Sequence, residues 1–378
     1  MPTIFTRGAA SARGFGLFGG SVSPAPGLWS WGYNTFGGLG LGNTTAYSSP
    51  KQVGALATWS KISAANGVSL AIKTDGTLWS WGRGVHGSLG LGNQTNYSSP
   101  KQVGALTTWS KINTNQFLTL AIKTDGTLWS WGNNNVGQLG LGNVTLYSSP
   151  KQVGALTTWD TVSPGSLYHT LAVKTDGRLW SWGYNGKGQL GLGNIIDYSS
   201  PKQVGALTTW ATVAAGNQSS WAIKTDGTLW SWGVNSSGEL GLGNTTNYSS
   251  PKQVGALTTW SKVVAGPGFV GAIKTDGTLW SWGANASGQL GLGNITSYSS
   301  PKQVGALTTW STLSGSQGGS TMMATTTGNA LWAWGQNTNG GLGLGNTTSY
   351  SSPKQVGALT KWTTVSAGQL FALAIQIP

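Results

Sequence analysis

The sequence predicts an all-β fold, a seven-bladed β-propeller built from four-stranded blades. Three observations predict it: a repeat of about 50 residues, four short β-rich stretches in each repeat, and chain ends that supply the two halves of one repeat. The repeat is marked by the motif LWSWG, which begins at residues 28, 78, 128, 179, 229, 279 and, as LWAWG, at residue 331.

Each repeat contains the same four stretches, as between Trp59 and Val103. WSKIS and SLAIK come first, an Asp75-Gly76 turn follows, and TLWSWG and PKQV complete the unit. Asp-Gly between two β-rich runs predicts a tight hairpin, because both residue types tolerate positive φ angles. We therefore expect the first three stretches to form an antiparallel sheet.

The third and fourth stretches predict which parts of a blade are buried. Trp79 and Trp81 lie two residues apart, so on a strand they point to one face, which we expect to pack against a neighbouring blade. Pro100 opens the fourth stretch, and proline is tolerated in a sheet mainly on an edge strand. We expect that strand to begin at the proline and to form the outer edge of the blade.

The two chain ends predict how the ring closes. The chain opens with the last two strands of a blade, Leu28 to Gly32 and Lys51 to Val53, and ends with the first two, Trp362 to Ser366 and Ala372 to Gln376. Pairing these halves would remove two exposed sheet edges. We therefore expect a seventh complete blade and a closed ring.

One repeat resembles a known family. The segment VAAGNQSSWAIKTDGTLWSWGVNSSGELGLGN, residues 213–244, is similar to the repeat of the regulator of chromosome condensation family, and the likeness covers residues 28–378. The resemblance implies a seven-bladed propeller. It implies no single function, because the family includes a nucleotide-exchange factor on chromatin, a plant ultraviolet photoreceptor and a secreted β-lactamase inhibitor. With eight acidic residues and four arginines, the chain departs from the first two functional patterns.

The charge of the chain is strongly positive but evenly spread. The net charge is +13, and seven lysines occupy one equivalent repeat position: Lys51, Lys101, Lys151, Lys202, Lys252, Lys302 and Lys354. Such a ring of charge favours solubility and edge protection over a nucleic-acid patch, although it also attracts an acidic partner. There are no cysteines, which excludes disulfides and thiolate metal sites.

Residues 1–27 differ in composition from the repeats. They are rich in Gly, Ala and Ser, and Arg7 and Arg13 interrupt any apolar core of a signal peptide. We interpret them as a leader or attachment segment that precedes the propeller of residues 28–378. The sequence has no apolar run long enough to span a membrane, so we expect no membrane insertion and favour a virion or the cytoplasm as the location.

No residue pattern indicates catalysis or a cofactor. His86 and His169 lie in different repeats with no partner at ligand spacing, and Glu239, Asp160 and Asp197 are the acidic residues outside the hairpin turns. The LGLGN loops lack the GK[ST] sequence of a phosphate-binding loop. We therefore predict a non-enzyme with no metal and no cofactor.

The repeats differ from one another in three windows: the loop between the first and second strands, the four residues after LWSWG, and the triplet after LGLGN. Because strand direction alternates, we expect these loops on one face of the ring, where a rigid scaffold presents binding residues. Trp221 replaces a repeat leucine and is either a core variant or part of the site. The predicted binding residues are Tyr33, Phe36, Arg83, His86, Phe117, Tyr168, His169, Tyr184, Lys187, Trp221, Glu239, Phe269 and Phe371.

Three hypotheses for function follow. The first is a non-catalytic recognition module that presents its variable face to a protein or glycan, in a phage particle or on a microbial surface; the near-identity of the repeats and the Ala/Gly/Phe-rich leader favour that setting. The second is an intracellular regulator, similar to an exchange factor or an inhibitor, that binds a protein or, less favoured, nucleic acid. The third is a purely structural spacer, for which substitutions on the variable face would change no interaction.

Overall fold

The computed structural model describes residues 27–55, 58–166 and 168–377. Within them it contains 28 β-strands in seven antiparallel four-stranded sheets, together with a short 3₁₀ helix, Val85–Gly87. The predicted leader, apart from Gly27, lies outside the described residues. The seven-bladed propeller predicted from the sequence is confirmed.

The strands, numbered in chain order, occupy the same four positions in every blade. The innermost strands are β3 (Trp59–Ala65), β7 (Trp109–Thr114), β11 (Trp159–Pro164), β15 (Trp210–Ala215), β19 (Trp260–Ala265), β23 (Trp310–Gly315) and β27 (Trp362–Ala367). The second strands are β4 (Val68–Lys73), β8 (Leu118–Lys123), β12 (His169–Lys174), β16 (Ser219–Lys224), β20 (Phe269–Lys274), β24 (Thr321–Thr326) and β28 (Phe371–Gln376).

The third strands carry the LWSWG motif and are β5 (Leu78–Gly82), β9 (Leu128–Gly132), β13 (Leu179–Gly183), β17 (Leu229–Gly233), β21 (Leu279–Gly283), β25 (Leu331–Gly335) and β1 (Gly27–Gly32). The outermost strands are β6 (Tyr97–Gln102), β10 (Tyr147–Gln152), β14 (Tyr198–Gln203), β18 (Tyr248–Gln253), β22 (Tyr298–Gln303), β26 (Tyr350–Gln355) and β2 (Tyr47–Gln52). Blades 1 to 6 follow one another from β3 to β26, and blade 7 combines β27, β28, β1 and β2.

Blade 7 closes the ring as the chain ends predict. Its strand order is β2-β1-β28-β27, and β1 pairs with β28 without interruption from Gly27 opposite Gln376 to Gly32 opposite Phe371. The first and last parts of the chain thus share one sheet. Both β1 and β28 therefore have a paired strand on each side.

The outermost strands begin earlier than the sequence predicted. Each starts at a tyrosine, as β6 does at Tyr97, and Pro100 lies inside the strand rather than at its start. The ladder to the third strand is irregular here, since Ser80 is opposite Lys101 but Gly82 is opposite Tyr97. This bulge and the edge position remove the need for a proline N–H. The predicted edge position is therefore correct, and the predicted start was wrong.

The second tryptophan of each LWSWG motif joins neighbouring blades. Trp81 is fully buried, and its indole N–H donates to the carbonyl oxygen of Gly38 in the preceding blade at 2.9 Å. The same bond recurs at all seven junctions with distances of 2.8 to 3.0 Å, including Trp31 to Gly341 at the closure. The motif therefore forms the packing surface between blades.

Candidate interaction face

The three variable windows lie together at one end of the strands. In every blade the backbone N–H that follows LWSWG donates to a carbonyl of the loop between the first two strands, for example Arg83 to Gly67 at 2.9 Å. The third window reaches the same place, since the Asn185 backbone N–H donates to the Asp197 carboxylate at 2.7 Å. We call the surface formed by these loops the variable face.

The Asp-Gly turns and the crossovers between blades occupy the other end of the strands. The backbone N–H of Trp109 donates to the Gly76 carbonyl at 3.1 Å, which joins the crossover into blade 2 to the turn of blade 1. Gly76 has a φ of +79°, and a Cβ on it would lie 2.1 Å from the Thr107 carbonyl oxygen. This close approach explains why the turn keeps a glycine at this position in the repeats that contain Asp-Gly.

Six predicted binding residues form a strip across four consecutive blades on the variable face. Phe36 contacts Tyr33 edge to face, with centroids 6.3 Å apart, and the Arg83 guanidinium lies 4.8 Å from the Phe36 ring centroid. His86, in the same loop as Arg83, contacts Phe117 at 5.5 Å, and Phe117 stacks on Tyr168 at 5.4 Å. All six side chains are half-buried. We call Tyr33, Phe36, Arg83, His86, Phe117 and Tyr168 the aromatic strip.

Two members of the aromatic strip have strained backbones. His86 has a φ of +57° and Tyr168 a φ of +67°, in the left-handed region that favours glycine. Each such conformation costs roughly 1 to 3 kcal/mol and persists only where surrounding contacts impose it. Tyr184 lies beside this strip, because its backbone N–H donates to the Tyr168 carbonyl at 2.9 Å. Tyr184 is half-buried, and Lys187 in the same loop is exposed.

Five predicted binding residues are buried, and the expectation that they face a partner was wrong. His169, Trp221, Glu239, Phe269 and Phe371 are each at most 3% exposed. The structure therefore supports the core interpretation of Trp221. These five side chains shape the loops from beneath and cannot touch a partner directly.

Glycines in the variable loops explain four of these burials. A Cβ on Gly165 would lie 2.2 Å from the His169 ring, and a Cβ on Gly266 would lie 2.1 Å from Phe269. A Cβ on Gly216 would lie 2.9 Å from the Trp221 ring, and a Cβ on Gly368 would lie 2.3 Å from the Phe371 ring. A glycine three to five residues before a large side chain was the signal in the sequence that these residues turn inward.

Glu239 is buried for a different reason. Its carboxylate accepts a hydrogen bond from the Ser237 backbone N–H at 2.8 Å. In two other blades Gln189 and Gln289 occupy the equivalent position, and their amide oxygens accept the corresponding backbone bond at 2.9 Å. Burial raises the pKa of Glu239 above its ordinary value. The carboxylate thus holds a loop in place and is not presented to solvent.

The centre of the variable face contains a residue that the sequence analysis missed. The innermost strands of all seven blades surround a channel of about 240 Å³, and the Gln317 side chain reaches across its mouth. Its amide oxygen accepts a bond from the Ser166 hydroxyl at 2.6 Å, and its amide nitrogen lies 3.3 Å from the Ala265 carbonyl oxygen. Ser166 and Gln317 belong to the two longest loops, so the extra residues in those repeats were the available signal.

The acidic groups do not converge on the variable face. The Asp-Gly turns at the other end hold aspartates such as Asp75, whose pKa is lowered by hydrogen bonds from the hydroxyl and amide of Thr77. Among the described residues no group of three or more His, Cys, Asp and Glu side chains is placed to hold a metal ion. In that same part of the chain, no helix has the length and apolar character needed to cross a membrane.

Two family models match the chain. The RCC1-like domain matches residues 22–270, and the regulator of chromosome condensation (RCC1) repeat matches residues 276–321 and 329–375. Among curated proteins, Ultraviolet-B receptor UVR8 of Arabidopsis thaliana is 50% identical over 40 residues, which are 11% of this chain and 9% of the receptor. Protein RCC2 of Mus musculus is 44% identical over 54 residues, 14% of this chain and 10% of RCC2. The chain therefore matches only about a tenth of the length of these relatives.

Solved structures show the same fold at low sequence identity. Prp20p from Saccharomyces cerevisiae has a TM-score of 0.82 and 18% identity, covering 94% of this chain and 92% of its own. Human WBSCR16 has a TM-score of 0.82 and 20% identity, covering 93% and 99%. These relatives are plant, animal and yeast proteins, so they lend no support to the expected phage or microbial setting. Since the family models match most of its length, the chain belongs to the regulator of chromosome condensation (RCC1) family.

Proposed function

We propose that this propeller is a non-catalytic protein-binding module that holds its partner on the variable face, with the aromatic strip as the anchor. The observation that carries the proposal is the strip itself: six half-buried side chains across four blades, in two groups of three contacting residues that share the loop of Arg83 and His86. Aromatic residues and arginine supply most of the binding energy at protein interfaces. A module of this kind is closer to the regulator hypothesis than to a virion component.

Backbone strain in the aromatic strip supports the same proposal. Tyr168 is a large side chain in a left-handed conformation, where glycine or asparagine would cost less. The strain places its ring against Phe117. Strained residues of this kind cluster at binding sites, because the conformation presents a side chain that relaxed backbone would not.

Charge indicates the chemistry of the partner. Arg83 and Lys187 lie on the variable face, and the chain as a whole carries a net charge of +13. We infer that the partner presents an acidic surface with apolar side chains to meet the aromatic strip. Prp20p, which shares the fold, has binding properties toward Gsp1p and histones. Gsp1p is the first purified candidate to test, and histones, which are basic, serve as the comparison that should bind more weakly.

The absence of catalysis is part of the proposal and follows from where the acidic groups lie. The turn aspartates are at the other end of the strands, and the Glu239 side chain is 3% exposed. The half-buried His86 contacts Phe117. A general acid or base would need a carboxylate or imidazole partner within reach of a substrate, and the Asp197 carboxylate on this face is engaged by the Asn185 backbone N–H at 2.7 Å.

The experiment compares three immobilised proteins: the wild type, the double variant Phe117→Ser/Tyr168→Ser, and the control Leu307→Ser. Leu307 is 42% exposed and lies in a crossover at the other end of the strands. Proteins retained from a host extract are quantified by mass spectrometry, and each is then produced in pure form to measure direct affinity. We expect a partner retained by the wild type and the control but bound roughly tenfold more weakly, or worse, by the double variant.

Two results would overturn the proposal. One is a purified partner that binds the double variant and the wild type equally well. The other is that no purified candidate binds the folded wild-type protein at all, which would leave the spacer hypothesis as the better account. Thermal unfolding of all three proteins shows whether a lost interaction reflects a lost fold.

A further inference from the structure

Grooves between neighbouring blades lie away from the variable face and repeat around the ring. Four of them have volumes of about 350 to 410 Å³. The groove between blades 2 and 3 is representative: its lining includes Leu156, Trp159, Lys174, Trp180 and Pro201. The tryptophan pair and the proline recur in all four grooves, the leucine lines three of them, and the lysine lines two, as Lys73 and Lys174. We call these the inter-blade grooves.

Each groove contains hydrogen-bond donors without protein acceptors. The Trp159 side chain is 3% exposed, and its indole N–H has no hydrogen-bond partner. The matching tryptophans of the other three grooves, Trp59, Trp210 and Trp260, share this property. A buried donor without an acceptor costs about 1 to 3 kcal/mol, and the innermost tryptophans beneath these grooves share this cost.

An ammonium group lies beside the same tryptophans. The Lys174 Nζ is 3.9 Å from the Trp180 centroid and 4.9 Å from the Trp159 centroid. Lys174 is 7% exposed, and among the described residues it forms no ion pair. No acidic side chain lines any of the four grooves. The Lys174 ammonium, on which the Asp176 carboxylate of the adjoining turn also acts, is therefore the charged group that this groove offers to an anion.

The exposed surroundings of the grooves are nearly identical in every repeat. The segment SSPKQVGALTTW is unchanged in five of its seven copies and differs at one position in the other two. Within it the lysine, the glutamine and the leucine are largely exposed, with Leu156 at 49%. The lysine lies over a tyrosine ring of its own strand, as Lys151 does over Tyr147 at 5.4 Å, whereas no such contact accounts for the exposed leucine.

We propose that the inter-blade grooves bind an acidic polysaccharide, with one carboxylated sugar residue in each groove. The carboxylate would meet the lysine ammonium, and the apolar ring face would lie against leucine and proline. A polymer with a regular repeat fits a ring of equivalent sites, and binding at several of them multiplies affinity. A protein partner lacks such a repeat.

The grooves suit a sugar better than a nucleic-acid base. A base needs a bare aromatic face on which to stack. In the five blades with this lysine, its Nζ lies 3.7 to 4.0 Å from the centroid of the half-exposed tryptophan and covers one ring face. Volumes near 400 Å³ are at the small end of ligand sites, which fits one or two sugar residues.

Two blades provide a built-in comparison. Thr326 in blade 6 and Gln376 in blade 7 occupy the position of Lys174, while the tryptophan pair is retained: Trp310 and Trp332 have centroids 6.1 Å apart. Thr326→Lys should therefore create an additional acidic-sugar site. Lys174→Met should remove one, because it keeps the aliphatic stem and deletes the charge. Lys61→Met removes an equal charge from an exposed position on β3 and serves as the matched control.

Trigalacturonate is the probe, counted per chain by native mass spectrometry and titrated by calorimetry, with neutral maltotriose and single-stranded DNA in parallel. We expect several equivalent trigalacturonate sites, one fewer in Lys174→Met, one more in Thr326→Lys and no change in Lys61→Met. Polygalacturonate should bind roughly tenfold more tightly than the trimer or better. If Lys174→Met fails to fold, Thr326→Lys alone decides the question.

The proposal is overturned if trigalacturonate does not bind, if maltotriose binds equally well, or if the site number is the same in the folded variants. Tighter binding of single-stranded DNA with the same dependence on Lys174 and Thr326 would also overturn it, in favour of a nucleic-acid site. None of these outcomes bears on the variable face, so this proposal and the proposed function fail or stand separately.

Discussion

Replacing the buried carboxylate of Glu239 by an amide should stabilise the protein at neutral and basic pH. Its carboxylate accepts the Ser237 backbone N–H at 2.8 Å, and Gln289 accepts the corresponding bond from Ser287 at 2.9 Å. Glu239→Gln therefore keeps the shape and this bond and removes only the charge. The reciprocal variant Gln289→Glu places a carboxylate in an equivalent buried site.

The sign of the effect follows from the raised pKa of Glu239, which burial produces. Between the unfolded and folded pKa values the native state holds a proton that the unfolded chain has lost, so stability falls as the pH rises through this window. Each pH unit by which a pKa is raised corresponds to about 1.4 kcal/mol. An incompletely compensated buried charge costs about 1 to 3 kcal/mol, which sets the expected size of the effect.

Urea unfolding followed by tryptophan fluorescence measures the effect at about pH 8 and about pH 3. We expect the free energy of unfolding of Glu239→Gln to be higher than that of the wild type at the higher pH. The difference between the two proteins should be about 1 to 3 kcal/mol larger there than at the lower pH. Gln289→Glu should show the opposite trend. Equal differences at both pH values would refute the reasoning, because the Glu239 carboxylate would then titrate alike in the folded and unfolded chains.

Three further predictions concern the frame of the ring. Trp182→Phe removes the indole bond to the Gln138 carbonyl at 2.9 Å and should cost about 2 kcal/mol in urea unfolding; an unchanged midpoint would contradict the role of this contact. Arg178→Thr should add about 1 kcal/mol, because the buried Trp180 N–H, which has no partner, would regain the threonine acceptor found in other blades; a lower unfolding temperature would count against it. Asp125→Asn should lower stability at neutral pH, and its difference from the wild type should shrink as the pH falls below about 3.9, because turn hydrogen bonds lower the pKa of Asp125. A difference independent of pH in such a titration would show that the charge contributes nothing.

The repeat explains why the fold could be predicted from the sequence. A strand with Trp79 and Trp81 on one face recurs seven times, so one local pattern and its period determine the blades and, through the half-repeats, the closure. The start of the outer strand was missed because Pro100 looks like a boundary. The bulge that accommodates it depends on pairing with β5, which lies well before it in the chain.

The candidate site was only partly predictable, because contacts between different loops decide it. The mutual contacts of His86, Phe117 and Tyr168 join three blades, and no local pattern in the sequence relates them. Gln317 and Ser166 are 151 residues apart, and each is a single departure from the repeat. A repeat predicts what recurs, whereas a contact that occurs once in the ring requires the closed structure.

Divergence among the repeats therefore has two physical meanings in this ring. At Phe269 and Phe371 the divergent residue is part of the core, because a glycine in the loop leaves space for the large side chain beneath it. At Phe117 and Tyr168 the divergent residues lie on the surface, where they contact other blades and remain open to a partner.

Constancy also has two meanings. The LWSWG tryptophans are constant because each joins two blades, but Leu156 and its equivalents in the described residues are exposed and constant, which packing does not explain. Burial, rather than variability, separates the residues that hold the ring together from those that are available for binding.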